Sequence, residues 1–139
     1  MGSSTRPRHV VLDASAAVNL LIGEDHVARR VIWAVGEARL LAPAVFPFEV
    51  TNVVRRQLAA HLISPEAAQN AWEGLGDLAV ELWPWEALAE RVWQLRGSIT
   101  SYDASYIALA ELMECPLVTT DSKLAAMAPT TCQVELASG

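Results

Sequence analysis

Four acidic side chains stand where the chain changes direction: Asp13, Glu49, Asp103 and Asp121. Asp13 closes the apolar run His9-Val10-Val11-Leu12, and Asp121 closes Pro116-Leu117-Val118-Thr119-Thr120. Glu49 and Asp103 fall in the first turns of two segments whose apolar residues recur at helical spacing. In an α/β fold with a parallel sheet, the carboxyl ends of strands and the amino ends of the following helices share one edge, and ligands bind there. Four carboxylates on that edge repel one another unless a cation offsets them. Hard oxygen donors of this kind suit Mg²⁺ or Mn²⁺. The chemistry is metal-dependent phosphoryl transfer, in which divalent ions activate a water and stabilise the charge that builds on the phosphate oxygens. Asp13 and Asp121 are the rigid candidate ligands. Asp103 and Glu49 are candidates to ligate directly or through water, and Glu49 to orient the attacking water.

The elements that must position these acids follow from periodicity. His9–Leu12 reads as a buried strand, Ala14–Ile22 as a helix ended by Gly23, and Glu24–Glu37 as a second helix with Val27, Val31, Ile32, Ala34 and Val35 mostly inward. Arg39–Ala42 is the next strand. Pro43 and Pro47 punctuate entry to a long helix reaching about His61. Ser64-Pro65-Glu66 opens another, to about Gly74: a serine cap, then proline, then an acid. Ala79–Leu82 reads as a strand and Pro84–Arg96 as a helix. Ser101 is the expected cap of a further helix, with Tyr106, Ile107, Ala110 and Met113 as its buried stripe. Leu117–Thr119, Ser122–Met127 and Cys132–Leu136 complete the pattern as strand, helix and strand. Strands alternating with helices imply parallel pairing and right-handed crossovers. The fold class is α/β, a three-layer α/β/α sandwich with a central, mainly parallel sheet.

The 139 residues are expected to form a single domain spanning 1–139, and 53% hydrophobic content opposes disorder. Residues 1–7 are expected to be flexible, partly a remnant of cloning. No apolar stretch is long enough to cross a bilayer, and no secretory signal is visible. Cys115 and Cys132 lack metal-ligand spacing and read as free thiols of a cytoplasmic protein, and His9, His26 and His61 form no ligand pattern. A net charge of −6 argues against broad non-specific nucleic-acid binding, yet leaves room for a nuclease whose acids a metal offsets. Arg29-Arg30 and Arg55-Arg56 read as solvated helix faces.

Four segments, taken together, resemble the PIN domain in order and spacing: Val-Leu-Asp13-Ala-Ser15-Ala, Glu49-Val-Thr-Asn52-Val, Tyr102-Asp103-Ala-Ser-Tyr106-Ile-Ala-Leu-Ala-Glu111, and Leu-Val-Thr119-Thr-Asp121-Ser-Lys-Leu124. The similarity runs from about Val10 to Leu136. More narrowly the chain resembles the VapC-type toxins of toxin–antitoxin pairs. That resemblance implies a Mg²⁺- or Mn²⁺-dependent endoribonuclease whose acidic quartet falls on Asp13, Glu49, Asp103 and Asp121, with supporting hydroxyls at Ser15 and Thr119. It further implies a homodimer and a VapB-type antitoxin. On this reading Ser15 and Thr119 orient ligands or contact phosphate, and Arg96 and Lys123 are candidates to steer the RNA substrate.

Each acid also has a plainer reading. Asp13 and Asp121 suit helix caps, and Asp103 suits the positive end of a helix dipole. Glu49 is harder to explain so, lying among Phe46, Phe48 and Val50. Asn52 is a candidate partner for Glu49, or is solvated. Tyr102 and Tyr106 read as packing residues rather than base-stacking platforms. Five tryptophans are many for this length, and Trp83-Pro84-Trp85 is a candidate dimer or antitoxin surface. The competing functions are an RNA-processing PIN nuclease without a toxin role and a non-catalytic binding module.

Overall fold

The computed structural model describes residues 8–23 and 25–137. Residues 1–7 and the expected helix start at Glu24 lie outside them. The chain runs β1 (His9–Leu12), α1 (Ala14–Ile22), α2 (His26–Val35), β2 (Arg39–Pro43), α3 (Phe46–Ala59), α4 (Pro65–Asp77), β3 (Val80–Trp83), α5 (Trp85–Gln94), α6 (Ser101–Leu112), β4 (Leu117–Thr119), α7 (Ser122–Met127) and β5 (Val134–Leu136).

The sheet has five strands in the order β3-β2-β1-β4-β5. Every pairing is parallel, with Val11 opposite both Leu41 and Leu117, and Thr119 opposite Leu136. The expected α/β class holds, and "mainly parallel" becomes wholly parallel among the described residues. Val10, Val11, Leu12, Leu41, Ala42, Leu117 and Val118 are buried, as strands covered on both faces require. From β1 the chain progresses outward through β2 to β3; from β4 it progresses the other way, to β5. The order therefore reverses between the neighbouring strands β1 and β4, and such a switch point opens a crevice at the carboxyl edge.

Local chemistry sets the helix starts. Asp13, Asp25, Ser64 and Asp121 each accept a backbone N–H of the first turn of the following helix. Ser101 is not the cap of α6: Thr100 is, accepting from the Asp103 backbone N–H at 3.2 Å, and Ser101 is the first helical residue. Helix α4 continues past the expected end at Gly74 to Asp77. Helix α5 is shorter than expected, since Pro84 occupies the cap position with extended backbone. The final strand begins at Val134 rather than Cys132.

Helix α6 is apolar nearly all round. Ala104 to Ala110 are all buried, because α6 packs against β1, β2 and β4 as well as α5. The expected stripe of Tyr106, Ile107 and Ala110 is only part of that surface. Arg91 of α5 donates from Nε and one terminal nitrogen to both carboxylate oxygens of Glu111, at 2.7 and 3.1 Å, and ties α5 to α6. In α2, Ile32 is exposed and only Ala28, Val31 and Val35 are buried, which narrows the expected inward face. Both cysteines are free and buried.

Candidate functional site

The reversal between β1 and β4 sets Asp13 and Asp121 on neighbouring strand ends. Asp13 follows β1, is 5% exposed, and caps α1 by accepting the Ala16 N–H at 2.9 Å. Its Oδ1 also accepts the Ser15 hydroxyl at 2.8 Å, and its Oδ2 accepts the Thr119 hydroxyl at 2.5 Å. Ser15 Oγ accepts the Thr120 N–H at 3.1 Å, and Thr119 Oγ1 accepts the Asp121 N–H at 2.9 Å. A hydroxyl has one proton to give, and both of these protons go to Asp13. The 3.3 Å approach of Ser15 Oγ to Thr119 Oγ1 is thus a contact between two oxygens already committed elsewhere. Ser15 and Thr119 lock the ends of β1 and β4 together through the Asp13 carboxylate. Thr119 is wholly buried. Its hydroxyl proton is given to the Asp13 carboxylate.

Asp121 caps α7, accepting the N–H groups of Lys123 at 2.9 Å and Leu124 at 3.3 Å through Oδ1. The cap readings of Asp13 and Asp121 are correct, and they leave the functional reading intact, because capping is what fixes these carboxylates at the edge. Asp103 stands in the first turn of α6. Glu49 stands in the first turn of α3, half-buried, and its Oε1 accepts the Tyr106 hydroxyl at 2.6 Å. Tyr106 is 1% exposed, so it packs as expected, but its hydroxyl also carries α6 to Glu49, a positioning role the sequence did not disclose. Asn52 does not partner Glu49. Its Oδ1 accepts from Arg55 Nε and a terminal nitrogen at 3.1 and 2.9 Å.

The electrostatics connect the four acids. Burial pushes the Asp13 carboxyl up to about 6, against the lowering effect of its three hydrogen bonds, and the charge of Asp121 adds to the rise. Burial also raises Asp103, again reinforced by Asp121. Burial raises Glu49 against the Tyr106 hydrogen bond, with Asp103 adding to the rise and Arg56 opposing it. Tyr106 is held strongly in its neutral form by burial and by Glu49, Asp13 and Asp103 around it. Each acid thus acts on another, in a chain from Asp13 through Asp121 and Asp103 to Glu49.

The basic candidates fare differently. Lys123 is exposed at the start of α7, beside Asp121 in sequence. Arg96 lies over the Trp93 ring, 4.3 Å from its centroid, and donates to the Trp93 carbonyl at 2.9 Å. Neither contributes to the shifts of the acids, whereas Arg56 does. Arg56 looked like part of a solvated pair, and no local signal distinguished it.

Against a divalent ion, the donor set fits chemically: hard oxygens whose negative charge is raised in energy by burial and mutual repulsion. Among the described residues, no three or more Asp, Glu, His or Cys side chains are grouped closely enough to hold a metal ion between them. That is compatible with Mg²⁺, which commonly takes one or two carboxylates and completes its shell with water.

The PIN domain family model matches residues 10–129. This chain belongs to the PIN domain family. Among the relatives of this PIN domain, VapC ribonuclease Mb0985 of Mycobacterium bovis is 35% identical over 125 residues, covering 90% of this chain and 95% of the relative. Ribonuclease VapC1 of Mycobacterium tuberculosis is 37% identical over 127 residues, covering 91% and 96%. The fold matches solved structures. One is VapC20 of M. tuberculosis, described as a Sarcin-Ricin loop cleaving toxin, with a TM-score of 0.63 at 18% identity over 89% of this PIN domain and 98% of that chain. Another is a DNA-bound VapBC complex of Salmonella typhimurium, with a TM-score of 0.66 at 15% identity over 92% and 97%.

Proposed function

We propose that this PIN domain is a divalent-metal-dependent endoribonuclease, the toxin of a VapBC-type pair, acting in the cytoplasm as a single-domain chain. The observation that carries the reading is the electrostatically linked quartet at the sheet's switch point, in a chain whose relatives are VapC ribonucleases. Asp13, Asp121, Asp103 and Glu49 would hold Mg²⁺ or Mn²⁺, directly or through water. When bound, such an ion lowers the pKa of a water and stabilises charge on the phosphate oxygens.

The protein's own residues do the rest. Ser15 and Thr119 hold Asp13 in one orientation while the ion is taken up. Tyr106 occupies Glu49 Oε1, which leaves Oε2 to orient the attacking water and receive its proton. The rise of Glu49 toward neutrality suits it to accept that proton. Arg56 opposes part of that rise. The substrate is RNA, the active form is a homodimer, and a VapB-type antitoxin is the inhibiting partner. The relatives' names support the RNA substrate and the VapBC assembly supports the antitoxin, while the homodimer rests on the resemblance to VapC-type toxins alone.

The test is cleavage of cellular RNA after induction, with ends mapped for the native chain, Asp13→Asn and Asp103→Asn. Cleavage is expected from the native chain in Mg²⁺ and from neither variant, with both variants folded. Ends that persist undiminished in both variants would refute the assignment.

A further inference from the structure

Three depressions on the surface share lining residues and join into one track. The central one, about 380 Å³, is lined by Phe48, Trp83, Trp85, Leu88 and Tyr102, with the Ser101 hydroxyl at its rim. It shares Phe48 with a second depression that ends at Arg55. It shares Trp85 and Ser101 with a third that ends at Trp93 and Arg96. Trp85 is 59% exposed and Tyr102 57%, so both rings present surface to solvent. Among the described residues, no charged side chain lines the central groove, while a guanidinium stands at each end of the track. The track is also continuous in sequence with the acids: Phe48 precedes Glu49, and Tyr102 precedes Asp103.

We propose that this track binds an unpaired RNA strand, with bases stacked on Trp85, Tyr102 and Phe48 and flanking phosphates on Arg55 and Arg96. The identity of the nucleic acid rests on the ribonuclease reading. Open aromatic faces bind bases of any sequence, because every base offers a π-face, and basic groups track the backbone. A duplex keeps its base faces stacked internally, so this groove selects loops and single strands. Both arginines are already held in place, Arg55 by Asn52 and Arg96 by the Trp93 ring and carbonyl. Phe48 and Tyr102 stand one residue before Glu49 and Asp103 on α3 and α6, so a strand stacked on them is held by the same first turns that carry two of the acids. Tyr102, which reads as packing from sequence alone, is on this account a stacking platform. Trp85, read from sequence as a candidate protein contact, serves the same purpose.

The experiment measures retention of a short, mixed-sequence, single-stranded oligoribonucleotide in EDTA, alongside the matching duplex. The full chain is compared with Trp85→Ala, Tyr102→Ala, Arg55→Gln, Arg96→Gln and Trp33→Ala, with circular dichroism and sedimentation mass recorded for each. The native chain is expected to prefer the single strand. Trp85→Ala and Tyr102→Ala should each weaken binding roughly tenfold, at unchanged mass. Arg55→Gln and Arg96→Gln should each reduce the logarithmic salt slope by about 0.7, and Trp33→Ala, outside the track, should bind as native. The proposal is overturned if the native chain does not hold the strand, or binds duplex equally well, or if the Trp85 and Tyr102 variants bind as native. It is also overturned if the Trp85 variant halves in mass, since the groove then belongs to a second copy. Cleavage in Mg²⁺ is scored separately. A native chain that binds without cutting undermines the ribonuclease reading alone, and one that cuts while the aromatic variants bind normally undermines the track alone.

Discussion

Asp13 receives three hydrogen bonds and still resists ionisation, because burial outweighs them. The consequence has a definite sign. Its folded value of about 6 lies above the ordinary 3.8, so without metal the folded state binds a proton that the unfolded state has released. At neutral pH the buried charge costs on the order of 3 kcal/mol, at 1.36 kcal/mol per unit. That cost shrinks as pH falls through 6 and is gone below 4. Asp13→Asn keeps an oxygen for the Ser15 and Ala16 donors and removes the charge, at the cost of the Thr119 hydrogen bond, whose acceptor becomes an amide NH2. In EDTA the variant is expected to be more stable than the native chain at pH 7 to 8, with the gap closing toward pH 4. Thermal melts across that range check this, and a gap independent of pH would contradict it. Glu49 carries a parallel prediction. Tyr106→Phe removes a hydrogen bond that favours the ionised carboxylate, so Glu49 should rise further and the acid limb of the cleavage profile should move to higher pH. Stability should fall by about 1–2 kcal/mol. An unmoved limb would mean that Tyr106 serves packing alone.

At the scale of elements, Gly23 shows how tightly the first two helices meet. A Cβ at this position would stand 2.7 Å from the Asn19 carbonyl oxygen and 2.8 Å from the Ala28 Cβ. The constraint is the close approach of α1 and α2, since the backbone at Gly23 is ordinary extended chain. Gly23→Ala is expected to cost about 1–3 kcal/mol in urea titration, whereas Gly76→Ala, with open space around it, should be near neutral. The sequence showed Gly23 only as a break, because a helix end is a local signal and the distance between two helices is not. The same distinction explains what else was legible. Elements with strong periodicity or caps, such as β1, α1, α7 and the start of α4, are local and could be read. The burial of α6 on nearly every side, the replacement of Ser101 by Thr100 as its cap, and the exposure of Ile32 depend on what packs alongside. The positions of the acids at element boundaries were legible, because a cap or first turn is a local signal. Tyr106 and Arg56 were not, because a residue on α6 reaching α3, or one arginine of a pair turning its charge toward Glu49, follows only from tertiary placement.

For the whole molecule, the strand order explains why four acids separated by more than a hundred residues belong together. Helices α3 and α6 begin at the edge where β1 and β4 end, so the reversal of direction in the sheet creates the crevice and supplies its lining. Burying carboxylates there opposes folding, and their like charges add to the cost, as the upward shifts of Asp13, Glu49 and Asp103 indicate. An ion that binds this edge in the folded state and not in the unfolded chain must reverse that opposition. With Mg²⁺ at about a hundred times its dissociation constant, mass action alone gives about 2.7 kcal/mol of added stability. The melting temperature of the native chain is therefore expected to climb with Mg²⁺ concentration, and Na⁺ at matched ionic strength should not reproduce the rise. In Asp13→Asn and Asp103→Asn the response should weaken, although Asp13→Asn begins from a more stable metal-free state. A native melting temperature indifferent to Mg²⁺ and Mn²⁺ would leave the repulsion at this edge without its counter-ion and would remove the metal from the proposed mechanism, whatever the cleavage assay reports.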